Sequence, residues 1–418
     1  MAQKTFKIYT LGCKVNQYDS RYLGRLLNEQ GYENTTQDAE VVIVNTCAVT
    51  QEAIAKDKKK IKKAKKENPR AKVILIGCWP QVYSASPENI GVDLVWGVGR
   101  LEDLVIYILS LFGEDQKVKK VEKMVQEERA RYFLKIQDGC EQFCSYCIIP
   151  YTRGKLYSRP EQEVIEEAQS AIRAGFRELV LCGIHLGLYG KNEDSDLGRL
   201  LRRMVKIPEI GRIRLSSLEA NEVTEGVLEL MKHSSKICRH LHLPLQSGSD
   251  RILRVMNRPY TASDYEEKVK RIKSILPDIS ISTDVMVGFP GEEEEDFRAS
   301  YEMAERLGFS RVHVFPFSAH EKTPAGQMRQ ELPGRVIRSR AKELRELGEK
   351  LENGFVNSFR GKELEVVVEG VSSSRFWGRS QYYFQVPFTE KDIVSYREQE
   401  ATSAPEELVG RILSVQFQ

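Results

Sequence analysis

Short apolar runs, each followed by a stretch of helical periodicity, recur along most of this chain. In the first hundred residues the runs are Phe6–Leu11, Val41–Val44 and Val73–Ile76. They alternate with helices predicted over Tyr18–Glu29, with Leu23, Leu26 and Leu27 on one face, and over Ala53–Lys66. Leu94–Trp96 adds a further strand before a helix over Leu101–Phe112. Continuous hydrophobicity means strands covered on both faces, and helices between them mean parallel connections. The pattern therefore predicts an open parallel sheet wrapped by helices.

A Lys/Glu-rich stretch, Gly113–Arg131, then reads as a linker. Beyond it the alternation resumes with six runs: Phe133–Ile136, Leu179–Leu181, Arg212–Leu215, His240–Leu243, Ile281–Val287 and Val312–Phe315. Six strands with helices between them predict an α/β barrel or part of one, closed by a polar helix over Val336–Phe359. In the tail, Glu363–Val368, Phe376–Val386 and Ile412–Phe417 alternate in strand fashion without a helix between them, which predicts a small all-β module. The expected organisation is 1–116, a linker at 117–131, 132–352 and 353–418, in keeping with about three domains on length alone.

Composition narrows the function. At 41% hydrophobic and 29% charged residues the chain is ordinary for a globular protein. A formal charge of +3 over 418 residues gives no bulk argument for nucleic acid, so such a case must rest on local patches. Met1–Thr10 lacks the apolar centre of a signal peptide, and the longest apolar stretch, near Ile106–Phe112, is too short for a bilayer. A cytoplasmic protein that does not engage a membrane is expected. In that reducing compartment the eight cysteines point to metal ligands, reactive thiols or core residues, not disulfides.

Three of them lie in Asp138-Gly139-Cys140-Glu141-Gln142-Phe143-Cys144-Ser145-Tyr146-Cys147, a C-x3-C-x2-C loop just after the first barrel strand. Three thiolates on one loop suit three irons of a cubane cluster and leave the fourth iron open to another ligand. A zinc site is the competing reading, but zinc spacing favours paired C-x2-C units. Cys13, Cys47 and Cys78 are far apart in sequence yet each follows an apolar strand. In an open parallel sheet the C-terminal strand ends line one crevice, so three thiols are expected to converge there as a second three-cysteine site. Buried packing cysteines are the alternative for each taken singly, and that reading is kept for Cys182 and Cys238.

The Cys140/Cys144/Cys147 loop resembles the radical S-adenosylmethionine (SAM) signature. Further residues extend the resemblance over nearly the whole chain: Leu11–Ser20, Asn45–Thr50, Gly77-Cys78, His242–Ser249, Met256-Asn257-Arg258 and Asp284–Glu292. Together with a TRAM-like tail they are similar to the methylthiotransferase family. Lys14-Val15-Asn16-Gln17 and Ala48-Val49-Thr50 look most like the branch acting on N6-threonylcarbamoyladenosine beside the anticodon of tRNA. The isopentenyladenosine branch more often has Gln-Met-Asn after its first cysteine, and the branch modifying an aspartate of a ribosomal protein usually has Pro-Lys-Asn.

The resemblance implies 1–116 as the methylthiotransferase domain, 132–352 as a radical SAM partial (βα)6 barrel, and 353–418 as a TRAM-like barrel. It implies two 4Fe-4S clusters, an auxiliary one on Cys13, Cys47 and Cys78 and a radical SAM one on Cys140, Cys144 and Cys147. SAM is then both methyl donor and radical source, and the product is a methylthio group at C2 of the modified adenosine. The C2–H is not acidic enough for a general base, so homolytic removal by a cofactor-derived radical is the fitting chemistry. Partners follow: a tRNA anticodon stem-loop and an external electron donor such as flavodoxin or ferredoxin, with the enzyme a monomer. Methylthiolation of isopentenyladenosine or of a protein aspartate are alternative reactions. A non-catalytic RNA-binding iron–sulfur electron carrier is the alternative of another class.

SAM contacts are expected from Tyr146, Gly183, Ser217, Glu219 and Gln246, the last four following barrel strands, where barrel sites form; Asp284 is placed similarly. A turn glycine at Gly183, a helix cap at Ser217 and a solvent-facing Glu219 compete with that reading. His240 and His242 are read as packing residues. For RNA, the lysines from Lys56 to Lys66 crowd one helix, where like charges repel and phosphate would relieve them. Phe376, Trp377, Tyr382, Tyr383 and Phe384 include candidates for base stacking, about half of them expected in the core, and Arg375 and Arg379 are candidate phosphate contacts.

Overall fold

The computed structural model describes residues 4–83, 91–113, 130–191, 193, 195–396 and 405–418. Most of the expected linker lies outside them. The chain divides into two compact units, Met1–Met124 with Asp138–Tyr157 and Ser318–Gln327, and Val125–Gln137 with Ser158–Phe317 and Met328–Gln418.

The N-terminal elements are β1 (Thr5–Thr10), α1 (Lys14–Glu29), β2 (Glu33–Asn34), β3 (Val41–Thr46), α2 (Gln51–Glu67), β4 (Lys72–Gly77), α3 (Cys78–Val82), β5 (Leu94–Gly97) and α4 (Leu101–Leu111). Five parallel strands are ordered β2-β1-β3-β4-β5. Central β3 is buried along its whole length, because helices cover both faces. On one face Leu23, Leu26, Leu104 and Ile108 pack on Phe6, Ile43 and Ile74; on the other, Ile54, Ile61 and Trp79 pack on Val42, Val44 and Leu75. This is the parallel sheet that the apolar runs predict. Sequence reading missed two-residue β2 and one-turn α3, both too short to show a period.

The rest runs β6 (Arg131–Lys135), β7 (Gln137–Asp138), α5 (Ile149–Arg153), β8 (Tyr157–Ser158), α6 (Glu161–Arg173), β9 (Glu178–Cys182), α7 (Leu197–Met204), β10 (Arg212–Leu215) and α8 (Glu225–His233). It continues with β11 (His240–His242), α9 (Asp250–Val255), α10 (Ala262–Ile275), β12 (Ser280–Val287), α11 (Glu294–Leu307), β13 (Arg311–Pro316) and α12 (Gly334–Asn357). Strands β6, β9 and β10 form one parallel sheet, and β11, β12 and β13 another. Parallel bridges Ile213–Ile237 and Ser217–His242 join them. The result is the six-stranded partial barrel expected from the sequence. Among the described residues no helix is long and apolar enough to cross a membrane.

The tail is all-β, with β14 (Glu363–Ser372), β15 (Arg375–Ser380), β16 (Gln385–Phe388), β17 (Ile393–Tyr396) and β18 (Ile412–Gln416) in the antiparallel order β16-β15-β14-β18-β17. The single strand expected over Phe376–Val386 is in fact two. Tyr383 adopts φ +79° and its N–H donates to Ser380 O at 3.0 Å, so the chain reverses where the alternation of residues alone continues.

This module packs on the barrel through buried charge. Glu178 is fully buried; Arg212 Nε donates to its carboxylate, as does Arg214 Nε at 3.0 Å. The same arginines donate onward to backbone of the module: Arg212 to Glu365 O (3.0 Å) and Arg379 O (2.6 Å), Arg214 to Ser380 O (2.9 Å). Burial pushes the Glu178 carboxyl up, but Arg212, Arg214 and Arg131 outweigh it and hold the group at about 2. Tyr383 stacks on His240, ring centroids 4.5 Å apart.

Candidate active site

Cys13, Cys47 and Cys78 follow the adjacent strands β1, β3 and β4, and Cys13 and Cys78 both act electrostatically on Cys47. Leu11-Gly12-Cys13 and Ile76-Gly77-Cys78 turn identically at their strand ends, with Gly12 at φ +94° and Gly77 at φ +96°, a region that penalises any side chain. Space also demands glycine. A Cβ on Gly12 would lie 2.9 Å from Cys47 Cβ and 3.2 Å from its Sγ, and one on Gly77 would lie 2.5 Å from Thr46 O. Cys13 is the N-cap of α1 and Cys78 opens α3. Cys47 follows β3 directly, just before Thr50 caps α2 through Ala53 N at 3.1 Å.

Asn16 braces the group. Its Nδ2 donates to Leu11 O and to Thr46 O, both at 2.8 Å, joining the Cys13 and Cys47 turns. Cys47 and Cys78 are buried and Cys13 is exposed. Burial, with smaller contributions from Cys78 and Cys13, pushes the Cys47 thiol up to about 12, and burial likewise raises Cys78. Thiols held neutral by their surroundings ionise when a cation binds them, so the donor set fits a soft-ligand metal group such as an iron–sulfur cluster.

Asp57 is a site residue that sequence reading passed over within the lysine-rich helix. It shares the buried face of α2 with Ile54 and Ile61 and its Oδ2 accepts the Cys47 N–H at 3.0 Å. Burial pushes its carboxyl up to about 7. Because that value exceeds the 3.8 of a free aspartate, the folded state loses stability as pH rises from about 4 to about 7, by roughly 4 kcal/mol if the full shift applies. Asp57→Asn keeps an acceptor for Cys47 and is expected to remove that slope from urea denaturation measured across the interval. Equal slopes in the two proteins would contradict it.

The Cys140–Cys147 loop belongs to the same unit. Its ends are fixed by Cys140 N donating to Gly154 O (3.1 Å) and Cys147 N to Cys144 O (2.9 Å), and Ser145 O accepts Ala325 N (2.8 Å). Ile148, immediately after it, packs with Ala48 and Trp79. Three thiols within eight residues on one braced loop fit a cluster with one iron free of protein thiolate. Tyr146 lies half-buried in this loop. Cys182 and Cys238 are buried, as core residues should be.

In the barrel unit, Gly183, Ser217, Glu219 and Gln246 follow β9, β10 and β11, at the end where barrels carry their sites. A Cβ on Gly183 would lie 2.8 Å from Gln137 Oε1, which accepts His185 N at 2.7 Å; close packing of Gln137 thus requires this glycine. Ser217 is exposed and forms a β-bridge with His242, so it is not a helix cap. Glu219 does not face solvent: it is paired with Arg258, and burial raises its pKa. Gln246 adopts φ +65°, strained for a residue with a side chain, between hydrogen bonds to Asp284 O (2.8 Å) and from Met286 N (2.9 Å).

His242 is more than packing. Its Nε2 lies 3.3 Å from Asp284 Oδ2 and its Nδ1 2.9 Å from Ser282 Oγ, and its ring stands 5.7 Å from that of His313. The spacing of one strand hides such a trio, which only pairing of β11, β12 and β13 assembles.

The expected RNA features fare unevenly. Phe376 and Phe384 fill the core of the β module, Tyr382 packs on Phe359 at 4.3 Å, and Tyr383 is committed to His240. Trp377 stands so close over Gly370 that a Cβ there would meet its ring at 2.2 Å. Arg379 is paired with Glu369 at 3.2 Å, whereas Arg375 is exposed. On α2, Lys56 pairs with Glu52 (2.7 Å) and Lys63 with Glu67 (3.5 Å), so part of the lysine repulsion is relieved within the helix.

Fold and cysteine pattern first define a class. Residues 134–304 match the Radical SAM superfamily and residues 5–97 the uncharacterized protein family UPF0004. The radical SAM methyltransferase TsrM of Kitasatospora setae superposes with a TM-score of 0.60 at 16% identity, covering 78% of this chain and 77% of that one, a likeness of fold. Relatives then narrow it. The threonylcarbamoyladenosine tRNA methylthiotransferase MtaB of Thermotoga maritima is 37% identical over 97% of this chain and 96% of its own, and that of Bacillus subtilis 35% over 99% and 93%. The tRNA-2-methylthio-N(6)-dimethylallyladenosine synthase of Acetivibrio thermocellus is 33% identical over 91% and 84%. This chain belongs to the radical SAM methylthiotransferase family.

Proposed function

We propose that the protein methylthiolates C2 of N6-threonylcarbamoyladenosine beside the anticodon of tRNA. The observation that carries this reading is the end-to-end match, 37% over 97% of the chain, to a relative named for that substrate. Lys14-Val15-Asn16-Gln17 after the first cysteine supports the same branch.

Cys13, Cys47 and Cys78 hold the auxiliary 4Fe-4S cluster, and Cys140, Cys144 and Cys147 hold the one that binds SAM. When bound, these groups and SAM supply the methylthio unit and a radical able to take the C2 hydrogen. The polypeptide does the positioning. Asn16, Gly12 and Gly77 keep three distant thiols within reach of one cluster, and the hydrogen bonds of Cys140 and Cys147 fix the second loop. Ser217, Glu219 and Gln246 contact SAM from their strand ends, the end at which Gly183 packs against Gln137. Arg258 keeps Glu219 in place as an acceptor.

The domain division is 1–116, a linker at 117–131, 132–352 and 353–418, although α12 continues to Asn357. The enzyme works in the cytoplasm as a monomer, taking electrons from a flavodoxin or ferredoxin. Anticodon stem-loops carrying adenosine, threonylcarbamoyladenosine or isopentenyladenosine test the reading. Only the second is expected to gain a methylthio mass increment; modification of the third instead would overturn the assignment. An electron carrier would release no 5′-deoxyadenosine from SAM upon reduction, whereas this enzyme is expected to release it.

A further inference from the structure

We infer that Arg153 is a positioning residue for the auxiliary cysteine site, a buried fixed cation that joins the two cysteine loops and sets the reduction potential of the group held by Cys13, Cys47 and Cys78. The inference rests on the assignment of that trio to a cluster.

Arg153 is the last residue of α5, six positions after Cys147. Its side chain is 1% exposed, and a buried guanidinium is retained only when paired and hydrogen-bonded. Nη1 donates to Asp19 Oδ2 at 2.9 Å and to Asp138 Oδ2 at 3.0 Å, and Nη2 to Asn16 Oδ1 at 2.5 Å. Asp138 lies two residues before Cys140, and Asn16 three after Cys13, so one side chain ties the stem of one cysteine loop to the brace of the other. The third donor differs: Nε is buried with no acceptor among the described residues. An orphaned N–H of this kind bears the full desolvation penalty of an unmade hydrogen bond. The guanidinium and Thr152 also both act on the Cys78 sulfur.

These contacts suit a site that becomes anionic when filled. Three thiolates around a cubane bring negative charge to buried positions, and a neighbouring cation with an unspent donor offsets it. Hydrogen bonds to sulfur and net local charge are among the factors that set cluster potentials. Asp19 and Asp138 hold the guanidinium in place and moderate its charge, so removing either partner class should move the potential in opposite directions.

The test uses full-length protein carrying Cys140→Ala, Cys144→Ala and Cys147→Ala, so that only the auxiliary group remains, purified anaerobically and titrated by EPR. Arg153→Gln is expected to lower the reduced-to-oxidised ratio at fixed ambient potential at least tenfold, 59 mV for a one-electron couple. Arg153→Lys should recover part of it, and Asp19→Asn should shift the ratio the other way. If Arg153→Gln loads no iron, an upward shift in Asp19→Asn together with a downward shift in Arg153→Lys sustains the inference. Unmoved potentials in iron-replete variants overturn it alone. Absence of iron already in the triple-alanine parent overturns the cluster assignment, and the inference with it.

Discussion

Cys144→Ala and Cys13→Ala are expected to lose activity completely but to fail at different stages. Each should lose one cluster, roughly four of eight irons and the matching sulfide, and keep the other. Cys144 is buried in a loop pinned by Gly154 and Ala325, while Cys13 caps α1 in a separate turn. Neither substitution removes a backbone hydrogen bond of the opposite site. Cys144→Ala should therefore form no 5′-deoxyadenosine, whereas Cys13→Ala should still cleave SAM on reduction and transfer no methylthio group. Loss of all iron from either variant would mean that the six thiols serve one site, and retention of all iron would mean that they serve none.

The second large effect concerns stability. Glu178→Ala should cost about 3–5 kcal/mol, because it leaves Arg212 and Arg214, each about 1% exposed, without their carboxylate. Both arginines also hold backbone carbonyls of the β module, so the loss should appear in urea denaturation as early release of that module, read from Trp377 fluorescence. The carboxyl is held at about 2, below an unfolded glutamate. Its contribution is thus complete above about pH 4.5 and declines as pH falls towards 2. A variant whose unfolding midpoint matches wild type at neutral pH would show that the pair is not holding the module.

Docking of this kind changes what the tail's aromatic residues are for. Tyr382, Tyr383 and Phe384 look like a base-stacking platform in the sequence, yet they are spent on Phe359, His240 and the module's core. Alternation cannot distinguish an exposed aromatic from one facing another domain, since both keep the same period.

The local chemistry of the chain determined a great deal unaided. Apolar runs such as Val41–Val44 fixed the parallel sheet, because a strand covered on both faces must be apolar throughout. The C-x3-C-x2-C spacing defined one cysteine set, because loop neighbours stay near each other in any fold. Strand-end position is the ground on which the other is expected. Tertiary structure alone decided how these sites are braced and charged: the approach of Arg153 to Asn16 across 137 residues, of Asp57 to Cys47 across ten, and of His242 to Asp284 and His313 across paired strands. Hydrogen bonds and buried charges act over a few ångströms in space, whatever the distance along the chain, and leave no period or spacing from which they could be read.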